Sequence, residues 1–506
     1  MTLDLNAPQF HSTLSVSDPF TFRVFAAHDS VESTMPLPRS NVVRRHLSEP
    51  KRLRTRPLPT RVPDQNDSSS AYTPILLFNR LPIELQLEIF SHCLVPFPSF
   101  DPREAPLLIT SVCRAWRALA LNTPKLWSSF EIEVTSPASF APVRDLHIQS
   151  TMQLWLARSK NYPLSVRLIH IPVGRVPDVR SARLLALLIP EARRWKHVQF
   201  TIPTSNMPPL PEHFPALQSL SLQLKGLWTS EPSVNVSTLS LPWHQLSFLD
   251  LQLEQNNLPS LDDWLSILSQ TQCLKQCTVS ANCSLDLDRD PDTIRLPLLE
   301  ALHIVLQGGS RHPSTPEYPP SCFVKFLRHL SMPILRTFNV SWLVELRTSW
   351  STSHASFLSF LHQISSTLRT LTISYLPVSD QELIACLTEV STVADLHLRF
   401  PLSDHEQDPI TNLLFSALMF ASPPDDEGIL LPDLASLDLQ CNGSKFLYSD
   451  LLQMILSRWN KDADAKAQFN RFRLLSVKPT LVEVDKHVRS LTDQGMDISI
   501  DTLFVR

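Results

Sequence analysis

A repeated segment constrains the fold of this chain more than any other feature of its sequence. The segment has the form Pro-x-Leu-x-x-Φ-x-Φ, where Φ is apolar, and its clearest copies begin at Pro215, Pro297, Pro333 and Pro432. Looser copies begin at Trp195, Leu246, Leu274, Leu368 and Val393. Proline ends a preceding helix and favours extended backbone, and apolar residues two positions apart lie on one side of a strand. The repeat therefore predicts a series of short β-strands.

Amphipathic stretches, such as residues 264–268 and 383–387, separate the copies and have the periodicity of helices. A helix between successive strands allows those strands to be parallel, and neighbouring units then bury each other's apolar faces. These features predict an α/β fold for residues 130–506, a leucine-rich-repeat solenoid with parallel strands on its concave face and helices outside. Because the copies are irregularly spaced, we expect insertions and an uneven curve.

Composition favours a protein that binds other proteins. Only 7 of the 506 residues are glycine, so the glycine-rich loops that bind nucleotide phosphates are disfavoured, and we expect no cofactor. The formal net charge of -4 gives the chain no overall attraction for nucleic acid or for an anionic membrane. No motif of a catalytic site is present, and we expect that the chain is not an enzyme. A Ser/His/Asp site assembled from distant positions remains open, because geometry and not spacing defines such sites.

Two segments contain possible metal ligands. The segment that starts at His405 begins like a zinc-protease motif, but Pro409 stands in place of the second histidine and excludes a helical zinc pair. The cysteines Cys273, Cys277 and Cys283 lie beside apolar residues, which favours packing in the core over a metal site.

The first 71 residues mix Ser, Thr, Pro and charge without apolar periodicity, which predicts a disordered tail. The start of the chain has no pattern of a secretory signal, so we expect a cytoplasmic or nuclear protein. A basic run could serve as a nuclear localisation signal or be a solvated tail, and its residues are Lys51, Arg52, Arg54 and Arg56. Ser48 lies in a segment that resembles a site for basophilic kinases and for 14-3-3-type proteins, so it is a candidate phosphorylation site.

Residues 72–129 have the pattern of a small helical module. Leu85, Ile89 and Phe90 have helical spacing after Pro82, which predicts a helix over residues 82–94. A proline-rich stretch, residues 95–106, ends that helix. Residues Leu108, Val112 and Trp116 then recur every four positions and predict a second helix. The strict alternation of apolar residues from Phe130 to Val134 predicts the first strand.

Three blocks of this module, residues 81–90, 112–117 and 126–127, resemble the F-box motif in the order of that family. Together with the repeats, they resemble the large F-box families of mushroom-forming fungi. The resemblance implies that the helices bind a Skp-type adaptor of a cullin-RING ubiquitin ligase and that the repeats bind a protein substrate. The positions that match the family's adaptor contacts are Leu81, Pro82, Leu85, Ile89, Val112, Cys113 and Trp116. Some of these residues, with Phe90, could instead form the module's own core.

Residues 95–106 are longer than the usual link in that family, and they could displace the second helix and weaken the contact with the adaptor. A repeat scaffold that never enters a ligase is the alternative function.

Polar residues alternate with the buried ones along the predicted strands. In a solenoid of this kind they project together from the concave face, where a substrate binds. The predicted row contains Ser221, Gln223, Asp250, Gln252, Thr278, His303, Asn339, Thr372, His397, Arg399, Asp438 and Gln440. A merely solvated face is the other interpretation of any single member.

Overall fold

Every predicted copy of the repeat forms a β-strand in the computed structural model of the chain. The structure describes residues 12–16, 22–26, 78, 80–134, 142–171, 178–225, 241–253, 258–283, 292–308, 319–344, 350–403, 408–420, 429–459, 469–479 and 482–503. Two strands, β1 (Ser12–Val16) and β2 (Phe22–Ala26), pair antiparallel in a unit, Met1–Ser70, that is separate from Ala71–Arg506. Composition predicts disorder over residues 1–71, and this strand pair is the part of that range that the structure describes.

The remaining strands form one parallel sheet of thirteen strands and one parallel pair. In chain order, the strands of the large sheet are β3 (Ser129–Val134), β4 (Leu164–His170), β5 (Trp195–Pro203), β6 (Ser219–Lys225), β7 (Phe248–Gln252), β8 (Gln276–Asn282), β10 (Ala301–Gly308), β12 (Thr337–Val344), β13 (Thr370–Ser374), β14 (Asp395–Arg399), β15 (Ser436–Cys441), β16 (Arg471–Ser476) and β17 (Asp497–Thr502). Their order in the sheet is their order in the sequence. The separate pair consists of β9 (Ile294–Arg295) and β11 (Leu330–Ser331).

Twelve α-helices lie in the described ranges. They are α1 (Ile83–His92), α2 (Leu107–Val112), α3 (Arg114–Leu121), α4 (Pro142–Ser159), α5 (Arg180–Leu188), α6 (Leu261–Leu268), α7 (Pro319–Arg328), α8 (Ser351–Ile364), α9 (Asp380–Glu389), α10 (Asn412–Leu418), α11 (Tyr448–Trp459) and α12 (Val482–Asp493). None of the described helices has both the length and the hydropathy of a membrane-spanning segment. The structure thus confirms a mixed α/β fold with a large parallel sheet.

Local sequence explains where several helices begin. Ser260 and Asp263 form a capping box at the start of α6, and Ser379 and Glu382 form another at the start of α9. In each box the serine accepts a hydrogen bond from the third backbone amide of the helix, and the carboxylate accepts one from the serine amide. The two amphipathic stretches that predict crossover helices are therefore confirmed.

The apolar positions of the repeat line up across the sheet. Parallel register places Leu220 beside Leu249, Leu302 beside Phe338, and Phe472 beside Ile498. These side chains are buried, and they share one core with the apolar residues of the helices. Because side chains alternate along a strand, the residues between them point to the opposite face of the sheet. That face carries the polar residues of the predicted row.

Candidate functional site

The first helix carries apolar side chains that are open to solvent. α1 begins directly after Pro82, whose fixed φ suits a helix start. Leu85 and Ile89, one turn apart on one face, are 51% and 41% exposed. Ile83, which the spacing of the other apolar residues did not single out, is 58% exposed. An exposed apolar surface on a helix is typical of a site that a partner covers.

Cys113 divides the segment for which the sequence predicts one second helix. Its backbone is extended, with φ -154° and ψ 170°, so α2 ends before it and α3 begins after it. Its Sγ accepts a hydrogen bond from the Trp116 amide at 3.5 Å, which satisfies a free donor in the first turn of α3. The prediction of a single helix is therefore wrong. Leu108 and Val112 lie exposed on α2, while Trp116 on α3 is partly buried.

Three aromatic rings fill the centre of the module. The ring of Trp116 lies 4.5 Å from that of Phe78 and 5.1 Å from that of Phe90, between centroids. Phe90 is 1% exposed. These contacts separate the predicted adaptor residues into structural and exposed ones. Trp116 belongs to the core with Phe90, and Cys113 caps a helix. The exposed members of that set are Leu81, Pro82, Leu85, Ile89 and Val112.

The proline-rich stretch after α1 packs against the start of the sheet. The Glu131 amide of β3 donates to the Pro98 carbonyl oxygen at 2.9 Å. Phe100 lies 5.1 Å from Trp155 of α4, between ring centroids, and the Arg167 guanidinium lies 4.4 Å from the centre of the Phe97 ring. Residues 95–106 thus join the helical module to the sheet, a role that the sequence analysis did not predict.

The predicted polar row is two rows in the structure. The first row crosses successive strands through Ser221, Asp250, Thr278, His303, Asn339, Thr372, His397 and Asp438, each beside the next. The second row lies two residues further along the strands and pairs Gln223 with Gln252 and Arg399 with Gln440. The first row also continues before Ser221, through Gln199, Arg167 and Glu131, which the sequence analysis missed. Their alternation with buried strand residues was the available signal.

The part of the two rows on β6 and at the centre of β7 is closed to solvent. Ser221, Gln223 and Asp250 are buried, and they bond to other members of the rows instead of projecting freely. Ser221 donates to the Asp250 carboxylate at 2.9 Å, and Gln252 donates to it at 3.2 Å. Burial raises the pKa of Asp250 above its ordinary value, although these hydrogen bonds favour the charged form. The other predicted members are partly exposed.

The centre of the first row is neutral. Burial lowers the pKa of His303 to about 4, so its imidazole is uncharged at neutral pH. Its Nε2 lies 2.8 Å from the Asn339 Nδ2, which donates to it. Thr278 and Thr372 flank this pair on the neighbouring strands. A neutral surface rich in hydroxyl and amide groups suits recognition by hydrogen bonds.

Charged side chains also lie in the rows on β14 and β15. His397 Nδ1 lies 3.3 Å and the Arg399 guanidinium 3.8 Å from the Asp438 carboxylate. Burial alone would raise the pKa of Asp438, but the His397 hydrogen bond and the nearby positive charges lower it below its ordinary value. The rows therefore change from a neutral to an ionic surface within a few strands.

A Ser/His/Asp arrangement exists, but it is enclosed. His170 Nδ1 lies 2.8 Å from Ser181 Oγ, and His170 Nε2 lies 3.1 Å from the Asp178 carboxylate. Both Ser181 and His170 are fully buried, Asn206 donates to the serine oxygen, and Arg180 pairs with Asp178. Burial lowers the pKa of His170 despite the carboxylate beside it. With no surface on the serine for a substrate to reach, the geometry is that of a structural network.

Two of the three clustered cysteines lie in the core, as predicted, and the third does not. Cys277 and Cys283 are buried, and burial raises the pKa of both thiols. Cys273 is exposed and lies in the turn before β8. The described residues contain no group of side chains that could hold a metal ion.

Two predicted features lie outside the described residues. They are the candidate phosphorylation site Ser48 and the basic run of Lys51, Arg52, Arg54 and Arg56.

Comparison with known proteins gives no family for this chain. No protein-family model matches it, and no curated protein matches it.

Proposed function

We propose that the chain is a substrate-recognition subunit of a cullin-RING ubiquitin ligase. The helical module is the F-box that binds a Skp-type adaptor, and the sheet with its helices is a leucine-rich-repeat solenoid that binds a protein substrate. Ubiquitin transfer is carried out by the partners. The chain contributes proximity, since a bound substrate lysine has a high effective concentration near the conjugating enzyme.

The exposure of Leu85, Ile89 and Val112 is the observation that carries this proposal. These side chains remain exposed although Phe90 and Trp116 already supply the module with a core. Exposing several large apolar side chains costs solubility and offers no packing within the chain, so a partner that buries them accounts for their presence. They also occupy the positions at which the sequence resembles the adaptor contacts of the F-box family.

The sequential order of the parallel strands supports the solenoid. In such a solenoid the two polar rows lie on the concave face, and their partly exposed members, from Thr278 to Gln440, form the substrate surface. Hydroxyl, amide and ion-pair groups there suit a folded protein or a peptide better than an apolar ligand. The basic run near residue 52 is consistent with localisation in the nucleus as well as in the cytoplasm.

A scaffold that does not enter a ligase is the second candidate. The long stretch of residues 95–106 favours it, because the stretch departs from the F-box pattern and makes the module part of the repeat domain. The two functions differ in whether the Skp-type adaptor binds.

Calorimetry of the full-length chain with a purified Skp-type adaptor separates them. We expect tight binding by the natural chain and about a hundredfold weaker binding by the double variant Leu85→Ser/Ile89→Ser. Leu413→Ser is the matched control, because Leu413 is 46% exposed on α10, which lies between β14 and β15 near the opposite end of the sheet from β3. Circular dichroism checks that each variant is folded. If the natural chain does not bind, the scaffold replaces the ligase subunit, and if the double variant binds equally, the adaptor uses another surface.

A further inference from the structure

A second exposed surface lies at the N-terminal ends of the strands in the middle of the sheet. We call it the N-terminal rim and define it by residues 272–275, 292–300, 328–336 and 366–369, which lead into β8, β10, β12 and β13. A ladder of backbone hydrogen bonds joins these turns. Glu300 donates to Lys275, Arg336 to Glu300, and Arg369 to Arg336, each at 2.8 Å. The side chains of these residues therefore stand side by side.

Two apolar side chains occupy the same place in neighbouring turns of the rim. Leu298 and Ile334 each follow the proline of a Pro-x-Leu unit, and they are 42% and 38% exposed. The strands that they precede, β10 and β12, are neighbours in the sheet, so their backbones are about 5 Å apart. The leucine that follows in each unit is buried, which leaves the exposed residue without a role in the core.

Positive charge predominates in the segments that carry this apolar pair and in their neighbours. The exposed cations of the rim are Lys275, Arg295, Arg328, Arg336 and Arg369. Its exposed acids, within the part of the chain that the structure describes, are Asp292 and Glu300. Five positive and two negative groups leave the described rim at +3, whereas the chain as a whole has a formal net charge of -4. The rim is thus a basic surface on a slightly acidic protein.

We propose that the N-terminal rim binds an acidic amphipathic helix of a partner protein. Side chains one turn apart on a helix are about 5–6 Å apart, which matches the separation of Leu298 and Ile334. Two leucine-sized residues of the partner helix bury Leu298 and Ile334, and the carboxylates of that helix pair with the cations of the rim. Polyanionic nucleic acid fits less well, because Glu300 lies within the row of cations, and the described rim has no exposed aromatic ring on which a base would stack.

This surface is distinct from the polar rows and from the exposed face of α1 and α2. The rows lie on a face of the strands, whereas the rim lies where the chain enters them. The inference goes beyond the proposed ligase function, and a failure of adaptor binding would leave it standing.

Fluorescence anisotropy with the full-length chain tests the proposal. The probe is a labelled 16-residue helical peptide of Glu and Ala with two leucines four positions apart. We expect saturable binding that weakens with salt. Arg336→Glu and Leu298→Ser should each weaken it about tenfold, equivalent to about 1.4 kcal/mol. Matched controls are Arg489→Glu on α12 and Leu154→Ser on α4, both exposed and far from the rim in the fold.

Comparison of the variants shows whether the peptide binds at the rim. Loss of affinity in the rim variants but not in the controls supports the proposal, and so does weaker binding of a peptide with serine in place of both leucines. Equal loss in the control variants would show nonspecific attraction and overturn it. A single-stranded oligonucleotide that binds more tightly than the peptide, and with the same dependence on Arg336, would assign the rim to nucleic acid and overturn it as well.

Discussion

The backbone amide of Glu131 donates a hydrogen bond to the carbonyl oxygen of Pro98 at 2.9 Å. This bond joins the first strand of the sheet to the stretch that follows the first helix. β3 is the end strand of the sheet, and an uncovered end strand presents unpaired amide and carbonyl groups. Residues 95–106 therefore cover that edge and hold the helical module against it.

Phe100 is the side chain that we expect to stabilise this junction most. Phe100→Ala removes its contacts with Phe130 and Trp155 and should lower the free energy of unfolding by about 2–3 kcal/mol. Phe100→Leu should lose less, since it keeps most of the apolar volume. Urea unfolding followed by tryptophan fluorescence measures both changes. A loss below about 0.5 kcal/mol for the alanine variant would show that the junction does not depend on this ring.

Substitution of Phe90 should destabilise the chain far more than substitution of Leu85, although both are apolar residues of α1. Phe90→Ala leaves a cavity beside Trp116 and should cost about 3–4 kcal/mol of stability. Leu85→Ala should cost under about 0.5 kcal/mol, because the side chain is already half exposed. Helical circular dichroism during thermal unfolding reports the difference. Equal losses would contradict the division of the module into core and exposed residues.

His303 should make stability depend on pH below neutrality. Its pKa in the folded chain is about 4, below the ordinary value of 6.5, so the unfolded chain binds the proton first as pH falls. Stability is complete above about pH 6.5 and is lost as pH falls from there towards 4, by an amount on the order of 3 kcal/mol. His303→Gln keeps an acceptor for Asn339 and should flatten this slope. Urea unfolding at pH 7 and pH 5 measures the change in the free energy of unfolding with pH. The same change in the natural chain and the variant would exclude His303 as its source.

Arg458 should be required to hold the turn before β15. The guanidinium is 2% exposed and donates to the carbonyl oxygens of Leu418, Leu430 and Leu431. Burial lowers its pKa to about 10, which leaves it charged at neutral pH. Arg458→Met fills the space but removes the guanidinium donor from all three carbonyl oxygens, of which that of Leu431 keeps the Leu434 amide, and it should cost about 3 kcal/mol or more. Differential scanning calorimetry of the variant tests this, with Arg489→Met on the surface of α12 as the control.

The strands were predictable because their signal is local. In a unit such as Pro297 to Leu306, the proline excludes helix and the alternation of apolar residues fixes which side is buried. Register then followed from the repeat, since equivalent residues of similar units pair. The split of the polar residues into two rows was missed because residues two apart on one strand face the same way, and the alternation alone does not separate them.

Features that depend on three-dimensional contacts were not predictable. The i to i+4 spacing of Val112 and Trp116 is typical of one helix, and only the extended backbone of Cys113 reveals the break. Ser221 and Asp250 are buried and bonded to each other across two strands, and the alternation within one strand does not reveal such a contact. The role of Phe100 was hidden because a proline-rich stretch gives no periodicity, although its aromatic residues were a signal of burial.

The junction at β3 also fixes the distance between the helical module and a partner bound on the sheet. Because residues 95–106 leave no free tether between the helices and the sheet, any partner held on a given strand lies a set number of strand spacings from the module. His303 on β10 is six strands from β3, or about 29 Å along the sheet at about 4.8 Å per strand. In a ligase, gain or loss of one repeat unit would move a bound substrate by about 5 Å, and would thereby change which of its lysines reach the conjugating enzyme.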